Sequence, residues 1–213
     1  MNLAELFSLT LHARYVRAEN DASFAFHREN GTLYILFEAS SGSTDWENNL
    51  DFPALPYRDM PHRWMCHRGF LRVWKSAEPY IAEAIAKTHE THVTVSGYSH
   101  GGALAMLCHE YIWFTHKPYR EHLRGFGFGA PRVLWRLPGT LWPKERWQTF
   151  TVVRNLDDAV THLPPAALGY THVGTMLEIG EKGRYTSIDA HRPESYEKSL
   201  EEYISAAGDP WHV

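Results

Sequence analysis

Short unbroken apolar stretches alternate along this chain with longer ones in which apolar residues recur every three or four positions. The first kind predicts strands buried on both faces, the second helices with one packed face. Leu3, Leu6, Phe7, Leu11 and Tyr15 predict an amphipathic helix within residues 2–18. Residues 23–27 predict a short strand, Glu29-Asn30-Gly31 a turn, and Thr32–Phe37 the first strongly buried strand. Between Arg68 and Lys87, Phe70, Leu71, Trp74, Ile81 and Ile85 share one helical face, and Pro79 predicts a kink or a division into two helices. Val93–Val95 predicts a strand, Gly101–Thr115 a helix, and Leu123–Gly129, Trp147–Val153 and Tyr170–Ile179 three further strands. Pro193–Ala206 predicts a closing amphipathic helix, whereas residues 51–67, broken by Pro53, Pro56 and Pro61, read as an irregular surface crossing. Strands alternating with helices mean an α/β protein with a mainly parallel central sheet flanked by helices. There is no repeat, low-complexity segment or linker, so a single domain over residues 1–213 is expected.

The 213 residues suffice for one complete core. A net charge of -4 without a clustered basic face argues against nucleic acid as a partner. No apolar run approaches the roughly 18 residues of a membrane helix. The opening Met1-Asn2-Leu3-Ala4-Glu5-Leu6 lacks the basic start of a signal peptide, so a cytoplasmic location is expected. Two cysteines, Cys66 and Cys108, are too few for a disulfide scaffold and are expected to stay reduced. Fourteen histidines invite a metal site. His62 could meet His67, and His109 could meet His116, but no cluster has ligand spacing, and no metal or other cofactor is expected.

The chemistry concentrates where a β-branched strand runs into a small-residue helix, through Gly97-Tyr98-Ser99-His100-Gly101. This Gly-x-Ser-x-Gly spacing is that of a nucleophile elbow, a strained turn that lifts a serine clear of the sheet edge. The helix that follows aims its N-terminus at a developing oxyanion. A serine alcohol needs a base, and the base an orienting carboxylate. On an α/β-hydrolase sheet these follow in the order serine, acid, histidine. Asp158 follows a predicted strand, with Asp157 as its immediate rival. His191 precedes the last helix, and His162, His172 and His212 compete with it.

Several motifs in the same order along the chain resemble the class 3 lipases, the fungal triacylglycerol lipases and their bacterial relatives. Gly97-Tyr98-Ser99-His100-Gly101-Gly102-Ala103-Leu104-Ala105 is similar to the family's Gly-His-Ser-Leu-Gly-Gly-Ala-Leu-Ala. Phe128-Gly129-Ala130-Pro131-Arg132-Val133 and His67-Arg68-Gly69-Phe70 resemble its Phe-Gly-x-Pro-Arg-Val and His-x-Gly-Phe segments. Asp158-Ala159-Val160-Thr161-His162-Leu163-Pro164-Pro165 is similar to its acid loop, which selects Asp158 over Asp157. Tyr170-Thr171-His172-Val173-Gly174 resembles a structural strand, which demotes His172, and Asp189-Ala190-His191 with Tyr196 sits where the family has its histidine.

The resemblance implies an α/β-hydrolase fold and serine carboxylic-ester hydrolysis of a small-molecule ester or acylglycerol, without a cofactor. Ser99, Asp158 and His191 would be catalytic, and the amides of Ser40 and His100 would bind the oxyanion. An acyltransferase or thioesterase would use the same triad, and a non-catalytic lipase-like scaffold would have lost a member of it. The oxyanion loop departs from the family's Phe-Arg-Gly-Thr or Phe-Arg-Gly-Ser, reading Phe37-Glu38-Ala39-Ser40, so the charge reversal at Glu38 questions how the loop is anchored. The His100 side chain is expected in solvent, and Thr161, in place of the family's proline, is expected to be tolerated. Where the family has a lid, Ser43 to Phe52 carries only Trp46, Leu50 and Phe52 as apolar residues, so at most a weak contact with a lipid interface is expected.

Overall fold

The computed structural model describes residues 1–39, 53–57, 64–136 and 145–208. Helix α1 (Leu3–His12) is followed by β1 (Val16–Arg17), β2 (Ser23–Glu29), β3 (Thr32–Phe37), β4 (Ala54–Tyr57) and β5 (Trp64–His67). Next come α2 (Arg68–Lys87), β6 (His92–Tyr98), α3 (His100–Thr115), β7 (Leu123–Phe128) and β8 (Leu134–Trp135). The chain continues through β9 (Phe150–Asn155), β10 (Tyr170–Thr171), β11 (Thr175–Ile179) and α4 (Pro193–Ala207). Among the described residues, seven strands form a sheet in the order β1-β2-β3-β6-β7-β9-β11. From β3 to β11 every pairing is parallel, and β1 and β2 extend the β3 edge in antiparallel fashion.

The continuous apolar run of β3 follows from burial on both faces. Leu33, Ile35 and Phe37 enter a core with Phe70 and Trp74 of α2 and Leu104 and Leu107 of α3. Their alternates Tyr34 and Leu36 join Leu3, Leu6 and Phe7 of α1 and Tyr196 and Leu200 of α4 on the opposite face. Two polar devices hold α1 in place. Asn2 and Glu5 form a reciprocal capping box, at 2.8 and 2.7 Å. The Thr10 hydroxyl, 2.8 Å from Ser96 Oγ, ties the helix to β6. None of the helices among the described residues is long and apolar enough to cross a membrane.

The local elements depart from the sequence expectation in five places. The first helix ends at His12, and Val16–Arg17 turns into the sheet edge instead of continuing it. Pro79 lies inside α2 but does not divide it in two, and α2 is one helix of 20 residues. The proline-studded crossing supplies β4 and β5, part of a second, antiparallel sheet ordered β10-β8-β5-β4. Pro56 is compatible with this because β4 is an edge strand there, where a missing N–H leaves no rung of the ladder unfilled. The strand expected from Trp147 begins only at Phe150, opposite Gly125, after a 3-10 turn over Glu145–Thr149. The stretch Tyr170–Ile179 is divided between the two sheets at Gly174, whose φ is +92°. A Cβ at Gly174 would stand 2.3 Å from the Phe150 carbonyl oxygen, so the crossing demands glycine.

Candidate active site

Strand β6 ends at Tyr98 and helix α3 begins at His100, leaving Ser99 alone in the turn between them. Its φ of 56° and ψ of −122° are unfavourable for any residue with a side chain, and the surrounding packing enforces them. The Ser99 N–H donates to Phe128 O at 2.8 Å, while its carbonyl accepts the Gly102 N–H at 2.9 Å. The glycines of the motif are needed for contact. A Cβ at Gly97 would lie 2.1 Å from Gly101 O, and one at Gly101 would lie 2.3 Å from Phe37 O.

The turn delivers the Ser99 hydroxyl to a chain of hydrogen bonds. Ser99 Oγ lies 2.8 Å from His191 Nε2. His191 Nδ1 lies 2.7 Å from Asp158 Oδ2. Asp158 is 0% exposed, yet its carboxylate has further donors: the Val160 N–H to Oδ1 at 2.8 Å and the Tyr196 hydroxyl to Oδ2 at 2.6 Å. These donors satisfy both oxygens of a carboxylate that has no contact with water. The Tyr196 phenol is pushed well above its ordinary value, first by burial and then by the Asp158 charge, so it remains a donor. Tyr196 also accepts the Asn155 N–H at 3.1 Å.

Three loops converge on this chain, and each has its own fastening. The loop after β9 carries Asp158, and the bridge between Asp158 and Ser187 pairs it with the loop leading to His191. Arg132, from the loop after β7, donates to the carbonyls of His162 and Pro164, the latter at 2.9 Å. His172 Nε2 donates to Thr161 O at 2.7 Å, and Asn155 Nδ2 donates to Ala190 O at 3.0 Å. Burial pushes the His172 imidazole down to about 4, so it is neutral at ordinary pH. Arg132 belongs to the Phe-Gly-x-Pro-Arg-Val segment and His172 to the Tyr170–Gly174 segment, whereas Asn155 lies outside any sequence motif. Tyr98 and Asn155 were not singled out by sequence at all, since their roles appear only when distant loops meet.

The structure brings Ser99, His191 and Asp158 together and sets the rivals aside. Asp157 accepts the Gly183 N–H at 2.5 Å and faces a different loop. His172 fastens the Thr161 carbonyl, and the His162 carbonyl serves Arg132; His212 lies outside the described residues. Ser40 and the segment Ser43 to Phe52 also lie outside them. The carbonyls of Phe37 and Glu38, which precede Ser40, run against Gly101. Glu38 is anchored despite its reversed charge: it accepts the Ser23 hydroxyl at 2.5 Å. Thr161 gains a role, its hydroxyl donating to Asp158 O at 2.8 Å. The His100 side chain is not in solvent as expected. It is 3% exposed and meets the Phe70 ring edge-on at 5.3 Å, because the turn that lifts Ser99 out carries the next side chain in against α2. Both cysteines are unbridged and buried, and burial raises their thiols well above the ordinary value. Among the described residues, no group of three His, Cys, Asp or Glu side chains could hold a metal ion.

A mainly parallel sheet with a serine elbow at the end of a central strand defines the α/β-hydrolase fold. The chain belongs to the class 3 lipase family, whose model, Lipase (class 3), matches residues 34–168. It is 30% identical over 153 residues to a lipase of Rhizomucor miehei, covering 67% of this chain and 40% of that protein. It is 25% identical over 144 residues to secreted mono- and diacylglycerol lipase 1 of Fusarium solani, covering 66% and 41%. The solved Rhizomucor miehei lipase in its native propeptide complex superposes with a TM-score of 0.64 at 26% identity, covering 79% of this chain and 57% of that one. The chain therefore spans about 40% of the length of the curated relatives it matches.

Proposed function

We propose that this protein hydrolyses carboxylic esters, acylglycerols among them, through an acyl-enzyme on Ser99. The observation that carries this is the unbroken Ser99–His191–Asp158 hydrogen-bonded chain at the elbow. Ser99 Oγ attacks the acyl carbon while His191 Nε2 takes its proton. His191 then gives that proton to the leaving alcohol, and water repeats the cycle on the acyl-enzyme. Asp158 holds His191 in the tautomer with the proton on Nδ1 and stabilises the imidazolium. The amides of Ser40 and His100 bind the oxyanion. His100 is the first residue of α3, where helix amides project beyond the helix's own ladder. No cofactor takes part. Membership in a lipase family and a relative named for mono- and diacylglycerols support the substrate class.

Among such substrates, soluble esters with short or medium acyl chains are the better ones. Segment 43–52 contains only Trp46, Leu50 and Phe52 as apolar residues, each worth roughly 1.5–3 kcal/mol if buried in lipid. Asp45, Glu47 and Asp51 oppose that approach. The test is hydrolysis of p-nitrophenyl esters of increasing length, together with tributyrin followed through its solubility limit. Smooth saturation with tributyrin is expected, and a sharp rise on crossing the limit would contradict the soluble-ester preference. Absence of hydrolysis throughout, or full activity in Ser99→Ala, would contradict the reaction itself.

A further inference from the structure

Tyr98 stands immediately before Ser99, where the family pattern reads histidine, and it touches His191 twice. Its ring lies nearly parallel to the imidazole, with centroids 5.2 Å apart and planes 23° apart. Its hydroxyl donates to the backbone carbonyl of His191. The tyrosine is itself fixed, meeting the Phe7 ring of α1 edge-on at 5.5 Å and the Tyr196 ring of α4 at 5.7 Å. His191, by contrast, sits on a single 3-10 turn, Asp189–His191, ahead of α4.

We propose that Tyr98 is a positioning residue for His191, a platform that fixes the imidazole plane between Ser99 and Asp158 and steadies its cationic form through the ring face. This rests on the function proposed above. The hydrogen bonds at both imidazole nitrogens require the ring to hold its plane within about 10–20°. A stacked aromatic neighbour restricts tilt out of that plane, and the hydroxyl restricts the turn that carries the ring. When His191 accepts the Ser99 proton, the electron-rich ring face attracts the resulting cation. The other groups facing the imidazole are the Asp158 carboxylate, the Ser99 hydroxyl and the Tyr196 ring, edge-on at 6.3 Å. On its own turn the exposed Asp189 and Arg192 pair with each other at 3.0 Å. Burial and the charges of Asp158 and Glu194 push the Tyr98 phenol upward, so the platform stays neutral while the base changes charge.

Two substitutions separate the two contacts. Tyr98→Phe keeps the ring and removes the hydroxyl; Tyr98→Leu removes both. Each is compared with the wild type for kcat and KM on p-nitrophenyl butyrate, for the rate of fluorophosphonate labelling and for melting temperature. The expected result is a graded loss of kcat, about 3-fold in Tyr98→Phe and about 30-fold in Tyr98→Leu, with KM within about 2-fold and labelling slowed in parallel. Unchanged kcat per folded molecule in Tyr98→Leu, or a rise in KM alone, would overturn the proposal. If Tyr98→Leu does not fold, Tyr98→Phe decides: a kcat equal to that of the wild type overturns it. A wild type that neither hydrolyses esters nor takes the label refutes the functional reading itself, and this proposal falls with it.

Discussion

At the residue scale, the site depends on which carboxylate meets His191. Asp157 and Asp158 are adjacent in sequence and chemically identical, and their surroundings separate them completely. Asp158 is buried beneath His191, Tyr196 and the Val160 amide, while Asp157 turns outward to cap the Gly183 N–H. Asp158→Asn leaves the shape intact, but its NH2 must face donors: either the His191 and Tyr196 protons or the Val160 N–H. It should lower kcat on a soluble ester by about 10⁴-fold. Asp157→Asn should keep most of the activity, since an amide oxygen still accepts from Gly183. Steady-state kinetics of the two variants decide it; a larger loss in Asp157→Asn would contradict the acid assignment. Ser99, Asp158 and His191 were legible as a candidate set because each sits in a local motif. Tyr98 and Tyr196 were not legible as their partners, because neither contact is local: the Tyr196 hydroxyl reaches back 38 positions to Asp158 and the Tyr98 hydroxyl forward 93 to His191.

At the element scale, the loop bearing Asp158 is fastened by polar groups that require particular charge states. His172 must be neutral to sit where it does, since burial holds it near 4 while an exposed imidazole titrates near about 6.5. The unfolded chain therefore takes up this proton first as pH falls. Stability is fully present above about pH 6.5 and is lost as pH drops toward 4. Between pH 7 and 5 this single group should cost about 2 kcal/mol. Urea unfolding at the two pH values, compared with His172→Gln, isolates it. His162 is also shifted downward, so the difference between the two proteins matters and not the absolute slope. An equal loss in both proteins would mean that His172 is not the buried neutral group described.

The long, strongly apolar elements β3, β6 and α3 were plain in the sequence, because burial on both faces or on every side leaves little room for polar residues. The second sheet was not. Its strands β8 and β10 have two residues each and β4 and β5 four, too short for alternation to register, and Pro56 masks the edge. Trp147 misled for a related reason: an apolar residue in the turn feeding a strand cannot be told from the strand itself.

At the scale of the whole molecule, two cores on opposite faces of one sheet hold the elbow between them. Strand β6 is shared by both, with Val93 and Val95 facing α2 and α3 and Tyr98 facing α1 and α4. Ser99 thus follows a strand packed on both faces, which is what a strained turn needs in order to persist. Among the described residues this framework occurs in a chain spanning about 40% of the length of the curated relatives it matches. The most direct test of its central claim, that Ser99 is an activated nucleophile, is intact-mass and peptide mass spectrometry after treatment with a fluorophosphonate. The account predicts one adduct per chain, located on Ser99, formed rapidly in the wild type and absent from Ser99→Ala, with labelling of His191→Ala greatly slowed. Folded wild-type protein that takes no adduct, or an adduct that persists in Ser99→Ala, would contradict it.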